Sequence, residues 1–295
     1  MTIPRPVVRI AQFAPRLGDV SANLDRMLEI ARQAAADGVD LVQFPELALT
    51  GYSLRDLTSE CALDLRSREF DALRAASRDV SLAVGFVEET PDHLFFNSAA
   101  YLEGGEVVHV HRKVHLPTYG LFEEGRYFAA GDTVRAFPSR FGRIAMLVCE
   151  DVWHLPMPYL AALDGAACVL ALAASPTRGV GSEGKAKNTV AWERMLLTYA
   201  SSLTVFLVYS NRVGFEDGVG FWGGSEIVSP SGDVVVKGLY HEEDFPTARV
   251  DLDLVRTERI HTPLLRDERL AVVLSELGRI WKKRRQTDSP FESAP

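Results

Sequence analysis

Three side chains in this sequence could together attack a carbonyl group: Glu46, Lys113 and Cys149. A cysteine attacks as its thiolate, so it needs a base or a cation beside it. A buried carboxylate can take the thiol proton, and a lysine ammonium can offset the negative oxygen that forms on the attacked carbonyl. The three residue types therefore predict acyl transfer through a thiol, with the backbone N–H of Glu150 as a second donor to the oxyanion.

Each of these residues also has an ordinary structural explanation. A cysteine that ends an apolar strand, as Cys149 does, is often a plain core residue. A glutamate after a proline, as Glu46 is, often lies in a solvated loop, and a lysine on an edge strand discourages edge pairing. Spacing alone does not bring the three together, so the elements that carry them must be considered.

The predicted elements place all three residues at the ends of strands. Residues 7–13 predict a strand, the apolar residues from Leu24 recur at i, i+3, i+4 and i+7 on a following helix, and residues 39–44 predict a second strand. A strand–helix–strand unit implies a parallel pair covered by helices, and ligands bind beyond the carboxyl ends of such strands. The same rhythm returns after residue 144.

The later segments complete one α/β domain built on two mixed sheets. Hairpins are predicted at Gly104-Gly105 and at Pro230-Ser231-Gly232. We expect a single domain over residues 1–266. Residues 267–295 are expected to form a C-terminal helix and tail that belong to the same domain or to an oligomer contact.

The composition argues against several classes of protein. The 295 residues are 47% hydrophobic and 24% charged with a net charge of -8, which is typical of a soluble globular protein and not of a nucleic-acid surface. Three cysteines make no disulfide framework. No run approaches the ~20 apolar residues that cross a bilayer. We expect a cytoplasmic protein with reduced thiols and with no membrane or nucleic-acid partner.

Two other motifs suggest ligands at first sight. Gly179-Val180-Gly181-Ser182-Glu183-Gly184 has the literal spacing of a dinucleotide loop, but it does not follow directly on a strand, so we interpret it as a loop beside the pocket. His109, His111 and His115 alternate along one strand, where positions two apart lie ~6.6 Å from each other and cannot converge on one ion. We expect exposed strand histidines and no metal site.

Three sequence blocks resemble the nitrilase, or carbon–nitrogen hydrolase, superfamily from about Val8 to about Arg266. They are Phe44-Pro45-Glu46-Leu47, His111-Arg112-Lys113 and Val148-Cys149-Glu150-Asp151. The resemblance implies a four-layer αββα sandwich with a Glu–Lys–Cys triad. It makes Glu46 the general base, Lys113 the oxyanion stabiliser and Cys149 the nucleophile. It also implies a second glutamate, at Glu124, and a homo-oligomer.

A narrower resemblance concerns the substrate pocket. Residues 113–128, KVHLPTYGLFEEGRYF, are similar to the glutaminase domain of glutamine-dependent NAD synthetases, as are Gly51-Tyr52 and the block Cys149-Glu150-Asp151-Val152-Trp153. Two departures stand out: the sequence contains no Ser-Gly-Gly-x-Asp-Ser loop, and the segment after Pro176 is longer than in those domains. The likeness implies pocket residues at these positions: Tyr52, Tyr119, Glu150, Trp153 and Ser175.

The sequence thus predicts a thiol-dependent hydrolase that cleaves a non-peptide C–N bond in a small amide and releases ammonia or an amine. No cofactor and no metal are expected. Three alternatives stay open at this point: a glutaminase that supplies ammonia to a separate synthetase, a nitrilase, and a catalytically silent binding protein of the same fold.

Overall fold

The chain is described by a computed structural model over residues 3–179 and 185–287. Its strands form two mixed six-stranded sheets and one two-stranded ribbon. The strands within the described ranges are β1 Val7–Ile10, β2 Leu41–Gln43, β3 Ser81–Glu89, β4 Phe95–Glu103, β5 Glu106–Arg112, β6 Ala136–Ser139, β7 Gly142–Val148, β8 Cys168–Ala173, β9 Phe206–Asn211, β10 Val213–Glu216, β11 Val219–Trp222, β12 Glu226–Val228, β13 Val234–Lys237 and β14 Thr247–Arg249.

The helices in the described residues cover the outer faces of the sheets and the C-terminal end of the chain. They are α1 Val20–Ala36, α2 Thr58–Cys61, α3 Arg68–Ala76, α4 Glu124–Tyr127, α5 Glu150–Trp153, α6 Pro156–Leu163, α7 Lys187–Leu203, α8 Asp253–His261, α9 Leu264–Asp267 and α10 Leu270–Thr287, with a short 3-10 turn at Arg55–Leu57.

The two sheets repeat one topology. The first has the order β14-β1-β2-β3-β4-β5 and the second β13-β12-β9-β8-β7-β6. Strands β1, β2 and β3 run parallel, as do β7, β8 and β9, and the outer strands join by antiparallel pairing. The hairpins predicted at Gly104-Gly105 and Pro230-Ser231-Gly232 are confirmed.

Alternate residues of the buried strands face different layers, which makes the fold a four-layer sandwich. In β2, Leu41 joins the core between the sheets, where it meets residues of β7 and β9, whereas Val42 joins the core under α1 and α3. On the far side, Trp192 and Leu196 of α7 cover the second sheet. The predicted αββα architecture with two mixed sheets is confirmed.

A polar side chain crosses the apolar interior and ties the sheets together near the site. Gln43, the last residue of β2, donates from Nε2 to Ala171 O at 2.9 Å, Val208 O at 3.0 Å and Ser210 Oγ at 3.0 Å. Because a buried amide is stabilised only when it is bonded, this contact favours one alignment of the sheets. The segment that follows Gln43 leads directly to Glu46.

The C-terminal end forms a long helix as expected, beginning three residues later than predicted. Helix α10 spans Leu270–Thr287 and most of its residues are exposed. The end of the expected tail, residues 288–295, lies outside the described residues. Among the helices that are described, none combines the length and the apolar character needed to span a bilayer.

Candidate active site

The residues predicted to carry the chemistry converge where strands of both sheets end. Glu46 follows β2, Lys113 follows β5 and Cys149 follows β7. Lys113 Nζ donates to Glu46 Oε1 at 2.7 Å and to Glu124 Oε1 at 2.7 Å, and all of these side chains are buried. A cation, two carboxylates and a thiol thus share one water-poor centre.

Glu46 is held in place by three hydrogen-bond donors, of which Lys113 is one, and by close packing of its backbone against Gly85. Its Oε1 also accepts from Asn97 Nδ2 at 2.8 Å, and its Oε2 accepts from the backbone N–H of Ala174 at 2.7 Å. A Cβ at Gly85 on β3 would lie 2.8 Å from Glu46 Cα and 2.5 Å from Leu47 N. Only glycine therefore lets the Glu46 turn pack flat on β3.

Lys113 is charged despite its burial. Removal from water opposes the ammonium, but the negative charges of Glu124 and Glu46 outweigh it and raise the pKa of Lys113 well above its ordinary value. The backbone of the residue is fixed as well, because its N–H donates to Asn97 O and its carbonyl accepts from Gly131 N–H. This is a positive charge held in place before any substrate arrives.

Cys149 stands on a strained turn between β7 and α5. Its φ is 43° and its ψ is -96°, a conformation that an L-residue rarely adopts and that costs roughly 1–3 kcal/mol. Burial raises the pKa of the Cys149 thiol well above its usual value, the charge of Glu46 adds to the rise, and Lys113 opposes it. The thiol is therefore protonated at rest, and a base must take its proton during attack.

Glu124 links the lysine to a tyrosine. Its Oε1 also accepts from Tyr52 Oη at 2.5 Å, while its Oε2 is buried without a described hydrogen-bond partner. Burial raises the pKa of Glu124 to about 7, although Lys113 pulls it down. Burial and the charge of Glu124 also raise the pKa of Tyr52 well above its ordinary value, so this tyrosine stays a donor.

A cavity of about 320 Å³ opens onto Cys149 and brings four of the five predicted pocket residues together: Tyr119, Glu150, Trp153 and Ser175. Tyr119 Oη donates to Glu150 Oε1 at 3.0 Å, and burial together with Glu150 raises the pKa of Tyr119 to about 12. The fifth, Tyr52, instead lines a second cavity of about 340 Å³, together with Glu124.

The hydroxyl oxygen of Ser175 is hydrogen-bonded to other side chains of the protein, although the residue lines the cavity. Its Oγ accepts from Trp192 Nε1 at 2.9 Å, from Trp222 Nε1 at 3.3 Å and from Asn188 Nδ2 at 3.3 Å. A hydroxyl oxygen has two lone pairs, so these donors already occupy it. Ser175 therefore organises the wall of the cavity.

Sequence reasoning missed three residues of the centre. Asp151 and Asn97 bond groups around the triad, and Arg178 places its guanidinium 5.4 Å from the Tyr119 ring and 5.2 Å from the Phe122 ring. These residues could have been found from the sequence. Asp151 is a carboxylate two residues after the nucleophile, and Asn97 is an amide inside an apolar strand. The signal for Arg178 was its position directly before the glycine-rich segment interpreted as a loop beside the pocket.

The three histidines differ from the exposed strand row that was expected: His109 and His111 lie in β5, whereas His115 follows the end of that strand. His111 is buried and donates from Nε2 to Asp151 Oδ2 at 2.8 Å, and the His109 ring stacks on the Phe137 ring with 4.3 Å between centroids. Both lie on the same face of β5, because residues two apart in a strand share a face, and this face meets Phe137 and Asp151. No group of three His, Cys, Asp or Glu residues in residues 3–179 and 185–287 could hold a metal ion.

The glycine motif at 179–184 is described only at its first residue. Gly179 lines the cavity beside Cys149, and residues 180–184 lie outside the described part of the chain.

Comparison with known proteins supplies a family. The family model for carbon–nitrogen hydrolases matches residues 7–260. The glutamine-dependent NAD(+) synthetase of Acinetobacter baylyi is 32% identical over 254 residues, which cover 86% of this chain and 46% of that protein. The chain thus spans about half the length of the curated relatives it matches.

Solved structures agree with the architecture. A carbon–nitrogen hydrolase from Helicobacter pylori superimposes with a TM-score of 0.81 at 24% identity, covering 90% of this chain and 96% of that one. A mutant amidase from Nesterenkonia sp. AN1 superimposes with a TM-score of 0.76 at 26% identity, covering 95% and 99%. In that amidase, the acetamide moiety of fluoroacetamide is covalently added at the active-site cysteine.

Proposed function

The chain belongs to the carbon–nitrogen hydrolase family, and from this premise we propose that it hydrolyses the C–N bond of a small linear amide through a thioester on Cys149. The observation that carries the proposal is the buried cluster of Glu46, Lys113 and Glu124 beside the Cys149 thiol. A purely structural role would not need a buried ammonium between two carboxylates, because burying such charges is unfavourable.

Acylation begins with attack of Cys149 Sγ on the amide carbonyl carbon. Glu46 takes the thiol proton as the S–C bond forms. The raised pKa of Cys149 favours this concerted order, because a free thiolate in the buried site would be unfavourable. Glu46 Oε2 is anchored by Ala174 N–H, so the carboxylate keeps its orientation during the transfer.

The negative charge that develops on the carbonyl oxygen needs donors in place. Lys113 supplies a permanent positive charge, since its pKa is held well above the ordinary value. The backbone N–H of Glu150, which follows the nucleophile, is the second donor. Because neither group has to reorganise, the tetrahedral intermediate is stabilised more than the substrate.

Collapse of the intermediate breaks the C–N bond. The leaving nitrogen takes the proton held by Glu46 and departs as ammonia or an amine, which leaves the acyl group on sulfur. Glu46 then removes a proton from water as the water attacks the thioester carbonyl. The acid is released and the thiolate recovers the proton, so the enzyme returns to its starting state. Covalent addition at the cysteine of the Nesterenkonia amidase supports a thiol nucleophile.

The charges around the cavity favour a substrate that carries charges of both signs. Glu150 offers a carboxylate for an ammonium group, and Arg178 brings a guanidinium to the same cavity. A volume of about 320 Å³ suits a small molecule. An amino acid with a side-chain amide has this combination of charges and size. The similarity to glutamine-dependent NAD(+) synthetases supports glutamine as the first such substrate to test.

A reducing compartment is part of the proposal. Cys61, Cys149 and Cys168 are all free and buried, and a thiol nucleophile works only while it stays reduced. We therefore propose a cytoplasmic location.

The test is release of ammonia from a panel of aliphatic amides, L-glutamine, L-asparagine, N-carbamoyl compounds and nitriles. We expect turnover of at least one amide and a loss of about 10³-fold or more in kcat for Cys149→Ala. Cys168→Ala is the matched control, because Cys168 is buried on a neighbouring strand away from the cavity. Unchanged turnover in Cys149→Ala would refute the mechanism.

The glutaminase alternative makes a separate prediction within this panel. If glutamine is the substrate, Glu150→Gln should raise KM for L-glutamine about 10-fold or more and leave KM for uncharged amides nearly unchanged. Exclusive turnover of nitriles would move the assignment to a nitrilase. Silence of the whole panel, with Cys149 as unreactive towards iodoacetamide as Cys168, would favour a binding protein.

A further inference from the structure

Asp151 is a buried carboxylate on which several backbone groups of the centre converge. Its Oδ1 accepts from the N–H groups of Val114 and His115, both at 3.0 Å, and its Oδ2 accepts from Val148 N–H at 3.2 Å. The rings of His111 and His115 also contact it, at 2.8 and 3.3 Å. The side chain is fully buried, so these contacts replace the water that it lost.

The partners of Asp151 bracket Lys113 in the sequence. His111 precedes the lysine by two residues, and Val114 and His115 follow it directly. With both flanks bonded to one carboxylate, the lysine backbone cannot shift along β5 without breaking several hydrogen bonds. Burial would raise the pKa of Asp151, but the hydrogen bonds from His111 and His115 hold it well below its ordinary value, so the carboxylate is charged.

The same carboxylate also supports the nucleophile from behind. Asp151 lies in α5, two residues after Cys149. Val148, whose N–H donates to Asp151, directly precedes Cys149. The strained φ of 43° at Cys149 persists only where the surroundings over-determine it. The Asp151–Val148 hydrogen bond closes a short loop around that residue.

Lys113 follows a strand of the first sheet and Cys149 follows a strand of the second. We propose that Asp151 is a positioning residue that fixes the distance between the Lys113 ammonium and the Cys149 sulfur across the two sheets. This inference rests on the proposed thiol mechanism for its effect on turnover, but not for its effect on the reactivity of Cys149.

The test compares two carboxylate-to-amide substitutions at opposite ends of the sheets. Asp151→Asn keeps the shape of the side chain but replaces one acceptor oxygen with an NH2 donor. That donor then faces the N–H donor of Val148. Glu103→Gln is the matched control. Glu103 ends β4, and its carboxylate likewise bridges the sheets by accepting from Arg140 N–H at 3.0 Å, far from Cys149.

For Asp151→Asn we expect kcat to fall about 10²-fold, with KM changed by less than about threefold, because a shift of about 1 Å has that effect on rate. We also expect the pH profile of Cys149 alkylation to move to higher pH. Lys113 is the cation that lowers the pKa of this thiol, while Glu46, Glu124 and Glu150 raise it, so a displaced lysine leaves the thiol harder to ionise. Glu103→Gln should lower the melting temperature and leave both readouts unchanged.

The inference is overturned if Asp151→Asn shows the wild-type alkylation profile and kcat while its melting temperature falls, as for Glu103→Gln. If Asp151→Asn does not fold, His111→Gln, which keeps four of the five contacts, must show the same shift in smaller measure, and a wild-type profile there also overturns it. If wild type turns over no substrate, the proposed function fails, whereas the alkylation profile still tests Asp151.

Discussion

At the scale of single residues, the centre holds one excess negative charge. Lys113 bonds two carboxylates at 2.7 Å each, Glu46 and Glu124. A buried uncompensated charge is unfavourable, so one carboxylate binds a proton more readily than in water. Glu124 is the carboxylate affected, because burial raises its pKa to about 7. Glu46 additionally accepts hydrogen bonds from Asn97 Nδ2 and from the backbone N–H of Ala174.

The first prediction concerns Glu124→Gln. The variant keeps an acceptor for Lys113 and Tyr52 but loses the charge that draws the ammonium away from Glu46. Lys113 then bonds Glu46 more tightly, which makes Glu46 a weaker base. We expect kcat to fall about 10²-fold with KM little changed, measured as initial rates on the best substrate of the panel.

Tyr52→Phe is the control for that prediction. It removes the hydroxyl that donates to Glu124 Oε1 at 2.5 Å but leaves the charge of Glu124 in place. We expect a smaller loss than in Glu124→Gln. An equal or larger loss would mean that the hydrogen bond, and not the charge, matters.

The second prediction is a pH dependence of stability. The pKa of Glu124 rises from the ordinary 4.5 to about 7 on folding, so the folded state binds more protons between these values. Its stabilising contribution is therefore complete below about pH 4.5 and is lost as the pH rises through about 7. Wild type should lose stability relative to Glu124→Gln between pH 5 and pH 8.

Urea unfolding of both proteins at several pH values measures this difference. The comparison cancels the histidines and Cys149, which the two proteins share. A difference that stays constant across the range would show that Glu124 does not titrate there.

At the scale of the elements, the turn after β2 depends on the strand beside it. Gly85 lies in the middle of β3, and the backbone of Pro45, Glu46 and Leu47 passes directly over it. The close approach sets the height of Glu46 above the sheet, and Gln43 pins the preceding residues to β8 and β9. The contacts with β3, β8 and β9 therefore fix the position of the Glu46 carboxylate.

The third prediction is that Gly85→Ala displaces this turn. The added Cβ would lie 2.5 Å from Leu47 N, so the backbone must move. We expect a loss of about 1–3 kcal/mol in the free energy of unfolding and a loss of activity larger than the stability change explains. Both are measured on the same preparation.

Gly278→Ala provides the contrast. It lies in α10, where a Cβ would meet open space, and alanine favours a helix by roughly 0.5–1 kcal/mol over glycine. The Gly278→Ala variant is therefore expected to keep wild-type activity. If Gly85→Ala behaved in the same way, the close packing of the turn would not matter.

At the scale of the whole molecule, an apolar surface is exposed among the described residues of the C-terminal helix. Helix α10 exposes Leu274 to 70%, Leu277 to 58% and Trp281 to 60%. Leu274 and Leu277 form an apolar patch with Leu155, which precedes α6, and Leu160 of α6, which are 69% and 45% exposed. Patches of this kind are unusual on monomers.

The fourth prediction is self-association through that patch, in line with the homo-oligomer expected from the family resemblance. We expect light scattering after size exclusion to give a mass of at least twice the 32.6 kDa of one chain. The double variant Leu274→Glu, Leu277→Glu should give a smaller species. Leu94→Glu, at an exposed leucine in the β3–β4 turn, should not, and a wild-type monomer would remove the patch as an interface.

The sequence predicted much of the architecture, because that information is local. Strands buried on both faces are continuous apolar runs, helices show one apolar face, and paired glycines mark the hairpin, so the two mixed sheets and their repeated rhythm could be predicted. The sequence blocks around Glu46, Lys113 and Cys149 also indicated the family. What failed was the environment of single side chains: His111, expected on an exposed face, is buried on Asp151.

Residue types by themselves determined which chemistry is available, since a thiol, a carboxylate and an amine suffice for acyl transfer. Only the tertiary structure decided that Lys113 sits between Glu46 and Glu124 in a buried site, and this raises the pKa of both Lys113 and Glu124. It also brought Asp151 against both flanks of Lys113. The reason is physical: pKa values and hydrogen-bond partners depend on burial and on groups far apart in the chain, and no local pattern encodes either.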